Sequence, residues 1–138
     1  MAEITLKHIL IVDDDPTTRR LFGSLLARAG FEVLYGKDGN EGREMARRLR
    51  PDLILLDLHM PVMDGMETAD RLTHDPDPLV AHIPIVLLTS EDLSIEAQKA
   101  AKELGVVEYM QKGVSNEEFI ERVKKILETT QKTAPSAE

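Results

Sequence analysis

Acidic, hydroxyl and ammonium side chains follow four separate apolar runs of the sequence. They are Asp13, Asp14 and Asp15 after ILIV, Asp57 at the end of LILLD, Thr89 after IPIVLL, and Lys112 just after VVEYM. Carboxylates that lie close together repel one another, so such a cluster requires a bound cation or raised pKa values. Oxygen ligands without a histidine–cysteine set favour Mg²⁺, which also accepts phosphate oxygens in its coordination shell. These residue types therefore predict a magnesium site that also handles a phosphoryl group.

One of these aspartates is suited to be a nucleophile, because a carboxylate can attack a phosphoryl group and form an aspartyl-phosphate. Asp57 is the predicted nucleophile, since it closes the most hydrophobic run and is thereby fixed in position. Asp13 and Asp14 begin a loop and suit metal ligation. Lys112 and Thr89 would join Mg²⁺ in neutralising the oxygens of the transferred group.

Five apolar runs of strand length alternate with five segments of helical spacing. The predicted strands cover residues 8–12, 31–35, 52–57, 83–88 and 106–110. Runs without polar alternation are typical of a parallel sheet that helices cover on both faces. The pattern therefore predicts a doubly wound α/β fold, a five-stranded parallel sheet flanked by five helices. In such a sheet ligands bind outside the carboxyl ends of the strands, which is where the chemical residues fall.

Residues that start and stop helices support this division. Predicted starts are Asp15 before Pro16, Asp38 with Glu41, Asp64 before GMETADRL, and Ser115 with Glu118, and predicted stops are Gly30 and Gly105. The segment HDPDPLVAHIP (74–84) is interpreted as a surface loop punctuated by prolines. Its two histidines are too isolated to be predicted as metal ligands.

Length and composition indicate one soluble globular domain, predicted to cover residues 7–128, with a flexible C-terminal tail at 129–138. A formal charge of −8 argues against direct binding to nucleic acid, which requires a basic face. The lack of cysteine excludes disulfides and thiolate catalysis. No apolar run has the length of a membrane span, and no secretion signal opens the chain. The sequence therefore predicts a cytoplasmic protein that does not enter a membrane.

Four motifs, taken in order and spacing, resemble the receiver domain of bacterial two-component response regulators over residues 7 to about 128. They are ILIVDDDP, PDLILLDLHMPVMDG, IPIVLLTSED and EYMQK. The resemblance implies a flavodoxin-like, CheY-like fold with strand order 2-1-3-4-5. It also implies that Asp57 accepts a phosphoryl group from a sensor histidine kinase or a phosphotransfer protein. Beyond its own phosphorylation and dephosphorylation, such a domain is not an enzyme.

The resemblance also implies roles for the surrounding residues. Asp14 would bind Mg²⁺ directly and Asp13 largely through water, and Asp57 and the backbone carbonyl of His59 would complete the protein's ligands. Lys112 would pair with the phosphoryl group, to which the Thr89 hydroxyl would hydrogen-bond.

Tyr109 would be an aromatic switch residue on the fifth strand. Movement of Thr89 toward the phosphoryl group would leave space for the Tyr109 ring, changing the surface of the fourth helix, fifth strand and fifth helix. That surface would bind a downstream effector protein or domain, or a second copy in a phosphorylation-dependent homodimer.

The sequence departs from the family pattern at two places. Gly113 follows Lys112 where the family usually has a proline, which predicts a trans and looser loop. His59 occupies a position whose side chain in the family overlooks the path of hydrolytic water, so its imidazole could orient water, block it or face solvent.

Three alternatives remain at this point. A haloacid dehalogenase-like phosphatase also uses an aspartate nucleophile and Mg²⁺, but it requires a second aspartate where this chain has His59. A flavodoxin-like electron carrier would need a phosphate-binding first loop, and DDDPTT would repel that phosphate. A pseudo-receiver would bind partners without being phosphorylated.

Overall fold

A single parallel sheet forms the centre of the molecule, in a computed structural model that describes residues 6–60 and 63–133. Within this part of the chain the sheet has five strands in the order β2-β1-β3-β4-β5, which confirms the predicted 2-1-3-4-5 topology. The strands are β1 (His8–Val12), β2 (Glu32–Gly36), β3 (Leu53–Asp57), β4 (Ile85–Thr89) and β5 (Glu108–Gln111). Every neighbouring pair is parallel, so all the carboxyl ends meet at one edge.

Helices connect the strands, and the described residues contain six of them where the sequence predicts five. They are α1 (Pro16–Arg28), α2 (Gly39–Leu49), α3 (Gly65–Thr73), α4 (Pro78–Ala81), α5 (Ile95–Glu103) and α6 (Asn116–Thr133). The additional helix is α4, which lies inside the segment 74–84 that was predicted to be a loop. Asp77 accepts a hydrogen bond from Leu79 N and Pro78 occupies the first turn, so this single turn is well capped. The predicted fourth and fifth helices are therefore α5 and α6.

The last helix also continues beyond the predicted domain end at residue 128, to Thr133. Residues 129–133, which the sequence assigns to the flexible tail, are thus helical. The remainder of that predicted tail, 134–138, lies outside the described residues. The division into a domain and a tail stays a prediction.

Two apolar layers hold the helices to the sheet. On one face, α1 and α6 pack over side chains that include Ile9, Leu55 and Leu88, and the rings of Phe22 and Phe119 lie 4.8 Å apart. On the other face, α2, α3, α4 and α5 cover the alternate side chains of the same strands. All residues of β3 and β4 are buried, which explains their continuous apolar sequence.

The helix boundaries follow the predicted signals. Side chains of Asp15, Asp38, Asp64 and Ser115 accept hydrogen bonds from the backbone N–H groups of Thr17, Glu41, Glu67 and Glu118. Gly30 and Gly105 have φ angles of 98° and 94°, the left-handed conformation that ends a helix at low cost for glycine. These starts and stops are confirmed. Among the residues described, no helix combines the length and the apolar character that crossing a membrane requires.

Candidate functional site

The register of the sheet brings the predicted chemical residues to its carboxyl edge. Val12 of β1 is aligned with Leu56 of β3, so Asp13 and Asp57 follow side by side. Asp57 is in turn aligned with Leu88, which precedes Thr89 at the end of β4. Lys112 leaves β5 with its backbone N–H donating to Thr89 O at 2.7 Å. Four strands thus place their terminal residues around one point.

Three carboxylates converge there. One oxygen from each of Asp13, Asp14 and Asp57 lies within 4.8 Å of the other two. Asp13 and Asp57 are only 1% and 5% exposed, whereas Asp14 is exposed. Asp13 is fixed by the N–H of Asp15, which donates to its Oδ1 at 2.9 Å. The cluster therefore combines two buried, oriented carboxylates with one that solvent reaches.

The position of Asp57 in this cluster disfavours the ionised form of its carboxyl group. Burial, followed by the charge of Asp13, raises its pKa above the usual value of 3.8. The Lys112 ammonium and a hydrogen bond from the His59 backbone N–H favour the ionised form, but they do not outweigh the other two effects. Asp57 is consequently a carboxylate that an additional cation would stabilise.

Lys112 is the cation that the fold itself supplies. Its Nζ lies 2.9 Å from Asp13 Oδ2 and 3.2 Å from Asp57 Oδ1, and its side chain is 22% exposed. Partial burial lowers the pKa of Lys112, but hydrogen bonds and charge from Asp13 and Asp57 outweigh it, and the net shift is upward. All described peptide bonds are trans, including the one to Gly113, and Lys112 still reaches both carboxylates.

Arg19 adds a contact that sequence reasoning missed. Its Nη1 donates to the backbone carbonyl of Asp13 at 2.6 Å, so α1 fixes the loop that carries the acidic residues. The spacing of six residues between them contains no recognisable motif, because the contact depends on how α1 turns back over the end of β1.

Thr89 is completely buried, and its Oγ1 accepts a hydrogen bond from Glu91 N at 3.1 Å. The hydroxyl therefore organises the turn that follows β4. It does not cap α5, since Ser94 accepts from Ala97 N and begins that helix. Thr89 consequently lies at the carboxyl edge for a reason other than helix capping.

Tyr109 lies on the same face of the sheet as Thr89. It is aligned with Leu87, two positions before Thr89, and side chains two positions apart share a face. The ring is half-buried against the core layer on that face, and its hydroxyl donates to Asp92 Oδ1 at 3.2 Å. Burial, together with the hydrogen bond and the charge of Asp92, raises the pKa of the Tyr109 phenol.

The His59 side chain faces solvent and is not aimed into the carboxylate cluster. Its side chain is 61% exposed, and Nε2 lies 2.7 Å from Glu91 Oε1. Glu91 was not predicted as part of this region, because 32 residues separate it from His59 along the chain. The pair lies across the loops that follow β3 and β4, on the rim of the site.

The residues at this edge fit a hard divalent cation. Each of the three aspartates offers one oxygen within a span of 4.8 Å, and Mg²⁺ is bound in proteins by one or two carboxylates plus waters and phosphate oxygens. Burial and the charge of Asp13 together raise the pKa of Asp57 in spite of Lys112, so a further cation would favour the ionised form. The donor set and the electrostatics thus agree with the predicted ion.

Known proteins share both the sequence pattern and the fold. The family model of the response regulator receiver domain matches residues 9–124. The alkaline phosphatase synthesis transcriptional regulatory protein PhoP of Bacillus subtilis is 36% identical over 132 residues, covering 96% of this chain and 53% of PhoP. The polar-differentiation response regulator DivK of Brucella anthropi is 31% identical over 121 residues, covering 88% of this chain and 96% of DivK.

A solved structure agrees with these relatives. Chemotaxis protein CheY4 of Vibrio cholerae superimposes with a TM-score of 0.81 at 30% identity, covering 88% of this chain and 99% of CheY4. The chain spans about half the length of transcriptional regulators such as PhoP, and nearly the full length of DivK and CheY4. The strand order, the four motifs and the family match together show that the chain belongs to the response regulator receiver domain family.

Proposed function

We propose that this receiver domain is a phosphorylation-dependent switch in which Asp57 accepts a phosphoryl group with the help of Mg²⁺. The observation that carries the proposal is the convergence of Asp13, Asp14 and Asp57 on a span of 4.8 Å, with Lys112 Nζ between two of them. Carboxylates that served only the stability of the fold would be expected to point away from one another at a buried edge, because like charges repel. This cluster instead leaves Asp57 with a raised pKa and one side open through the exposed Asp14.

In the proposed reaction an oxygen of Asp57 attacks the phosphorus of a phosphohistidine on a sensor histidine kinase or phosphotransfer protein. The oxygen–phosphorus bond forms as the phosphorus–nitrogen bond breaks, and the histidine leaves. Asp57 is presented by the end of a fully buried strand, which orients it without a flexible linker. Asp14 at the same edge is exposed, so solvent reaches the site from that side.

Lys112 and Thr89 would receive the transferred group. Lys112 already bridges Asp13 and Asp57, so its ammonium can follow the new negative charge with little movement. The buried Thr89 hydroxyl would donate to a phosphoryl oxygen. Mg²⁺, held by Asp13, Asp14, Asp57 and the His59 carbonyl, would supply the remaining positive charge.

The proposed switch links Thr89 to Tyr109. A Thr89 hydroxyl drawn to the phosphoryl group would leave its present contact with Glu91 N, and the ring of Tyr109 on the same sheet face could occupy the vacated space. This movement would break the Tyr109–Asp92 hydrogen bond. The consequence is a changed surface on α5, β5 and α6, which corresponds to the surface predicted from the sequence.

The proposed partners are a histidine kinase or phosphotransfer protein upstream and an effector protein or domain downstream, with a phosphorylation-dependent homodimer as a further state. No direct nucleic-acid contact is proposed, because the net charge is −8. The proposal includes a cytoplasmic location and no enzymatic turnover beyond self-phosphorylation and autodephosphorylation. Membership of the receiver family favours this function over the phosphatase.

Replacing Asp57 by asparagine should abolish phosphorylation, because the amide is a poor nucleophile. The full chain is incubated with Mg²⁺ and a small acyl phosphate, and its intact mass is measured. We expect a mass increase of one phosphoryl group in the wild type and none above background in Asp57→Asn.

Asp70→Asn, which changes an exposed aspartate on α3, is the matched control and should be labelled like the wild type. A chelator should remove the labelling. Labelling of Asp57→Asn at the wild-type level would contradict the assignment, and a wild type that no donor labels would favour the pseudo-receiver.

Asp57→Asn should also stabilise the metal-free protein at neutral pH. The folded state raises the Asp57 pKa, so ionisation of this group costs folding free energy as the pH rises above about 3.8. Thermal unfolding with chelator should therefore give a higher Tm for the variant at pH 7, with the difference vanishing below pH 4 where the carboxyl is protonated. Mg²⁺ should reduce the difference by stabilising the wild type. A lower Tm for the variant at neutral pH would refute this interpretation.

Tyr109 can be followed directly, because the sequence has two tyrosines and no tryptophan. In a Tyr35→Phe background, phosphorylation should reduce quenching of Tyr109 fluorescence by a soluble quencher, since the ring moves inward. Thr89→Ala, compared at equal phosphorylation by intact mass, should not show the reduction. Unchanged quenching in the phosphorylated Tyr35→Phe protein, or an equal reduction in Thr89→Ala, would rule out the proposed coupling.

A further inference from the structure

A groove rich in arginine runs along α2, apart from the carboxylate cluster. Among the described residues that line it, Arg43, Arg47, Arg48 and Arg50 are basic, Glu44 and Asp77 are acidic, and Asn40 is neutral. The chain as a whole carries a formal charge of −8, so this local excess of positive charge opposes the general character of the molecule. The excess indicates a surface that attracts negative groups.

Two aspartates of the HDPDP segment (74–78) form ion pairs with arginines of this groove. The Asp75 side chain is fully buried, and its Oδ2 lies 3.4 Å from Arg47 Nε and 3.9 Å from Arg43 Nη2. Asp77 Oδ2 lies 2.6 Å from Arg50 Nη2. A buried carboxylate is costly unless it is paired, so the charge of Asp75 attracts both guanidinium groups, although neither donates a hydrogen bond to its Oδ2. Each guanidinium has five N–H donors, and these contacts occupy only part of each set.

Arg48 is the least engaged of these arginines. Its Nη2 lies 3.6 Å from Met45 Sδ, and within residues 6–60 and 63–133 it forms no ion pair with a carboxylate. The side chain is exposed. The groove thus contains both arginines that the fold holds in place and one whose charge is available to a ligand.

The arginine groove continues into an apolar one. The second groove shares Arg50 with the first, and its lining includes the apolar residues Pro78, Leu79, Ile83 and Pro84. Leu79 is 54% exposed although it is a large apolar side chain. A ligand that follows both grooves must therefore combine anionic groups with an apolar group.

The end of the groove that contains Arg47, Arg48 and Arg50 lies toward the opposite edge of the sheet from Asp57. Helix α2 begins after β2, at the carboxyl edge of the sheet, and ends just before β3, at the amino edge. Arg50, which lines both grooves, precedes β3, and Leu79 of the second groove precedes β4, so both lie toward that amino edge. Binding here would leave the phosphorylation site accessible.

We propose that these adjoining grooves dock an acidic segment of a protein partner, whose carboxylates pair with the α2 arginines and whose apolar side chain covers Leu79. Arginine pairs with carboxylates in a bidentate geometry that suits fixed guanidinium groups. Glu44, Asp77 and the overall negative charge oppose a continuous polyanion such as nucleic acid, but they tolerate a peptide with localised charges. Solvent-exposed ion pairs are individually weak, so the complex is transient and sensitive to salt.

Two labelled synthetic peptides of equal charge test the proposal, one of glutamate and serine and one of glutamate and leucine. Their binding to the full chain is measured by fluorescence anisotropy at low salt. We expect both peptides to bind and the leucine peptide to bind more tightly. Arg48→Gln combined with Arg50→Gln should weaken the binding of both peptides by roughly tenfold, because the variant lacks two arginines that pair with peptide carboxylates.

Matched control variants distinguish binding in the groove from non-specific electrostatic attraction and from non-specific hydrophobic binding. Arg20→Gln combined with Arg28→Gln removes the same charge from exposed positions on α1 and should leave binding unchanged. Leu79→Ser should abolish only the preference for the leucine peptide. Leu21→Ser, at a leucine that is 53% exposed on α1, should preserve that preference.

A further variant tests whether the peptides bind because the arginines are held in position or only because of overall charge attraction. Asp75→Asn makes the chain less negative, so simple attraction predicts tighter peptide binding, whereas loss of the positioned guanidinium groups predicts weaker binding. The surface variants decide the question if Asp75→Asn fails to fold.

Three results would overturn the proposal. They are failure of both peptides to bind the wild type, equal weakening by the α1 control variants, and preferential binding of an oligonucleotide of the same charge through Arg48 and Arg50. Peptide binding should not depend on Asp57, so its failure would leave the phosphorylation proposal intact.

Discussion

The repulsion between Asp13 and Asp57 is the constraint around which the rest of this structure is arranged. Strands β1 and β3 are neighbours in register, so their terminal carboxylates cannot separate without breaking the sheet. Both are buried, and Lys112 reaches both of them from the end of β5. Burial first, and the charge of Asp13 second, raise the pKa of Asp57 in spite of the Lys112 ammonium. The edge therefore favours additional positive charge, which Mg²⁺ would supply in the proposed phosphorylation reaction.

The same edge connects chemistry to a distant surface. Thr89 ends the strand between the carboxylate cluster and β5, and its hydroxyl sets the turn toward α5. Tyr109 shares its face of the sheet and is held by Asp92, a residue of that turn region. In the proposed switch, a change at Asp57 would reach α5, β5 and α6 through Thr89 and Tyr109. The residues of the arginine groove along α2 do not belong to this path, so the proposed acidic partner could be held there while another partner responds to phosphorylation.

Much of this arrangement can be predicted from the sequence, because strand ends and helix caps depend on local residue types. Asp15, Asp38, Asp64 and Ser115 each begin a helix through a hydrogen bond to a residue two or three positions away. Helix α4 was missed because a single turn has no periodicity to detect. The contacts of His59 with Glu91 and of Arg19 with Asp13 were also missed, since tertiary packing rather than spacing creates them. The positions of the aspartates at the strand ends could be predicted from the sequence. The side chains and backbone groups that each aspartate contacts could not.

The most direct measurement is a calorimetric titration of the full chain with Mg²⁺ at neutral pH, in the wild type and in Asp14→Asn. Asp14 is exposed, so its replacement removes a ligand without disturbing the core. The account predicts one bound ion in the wild type, a large loss of affinity in Asp14→Asn and no loss in Asp70→Asn. Equal affinity in all three proteins would show that the clustered carboxylates do not hold the ion, and the central claim would fail.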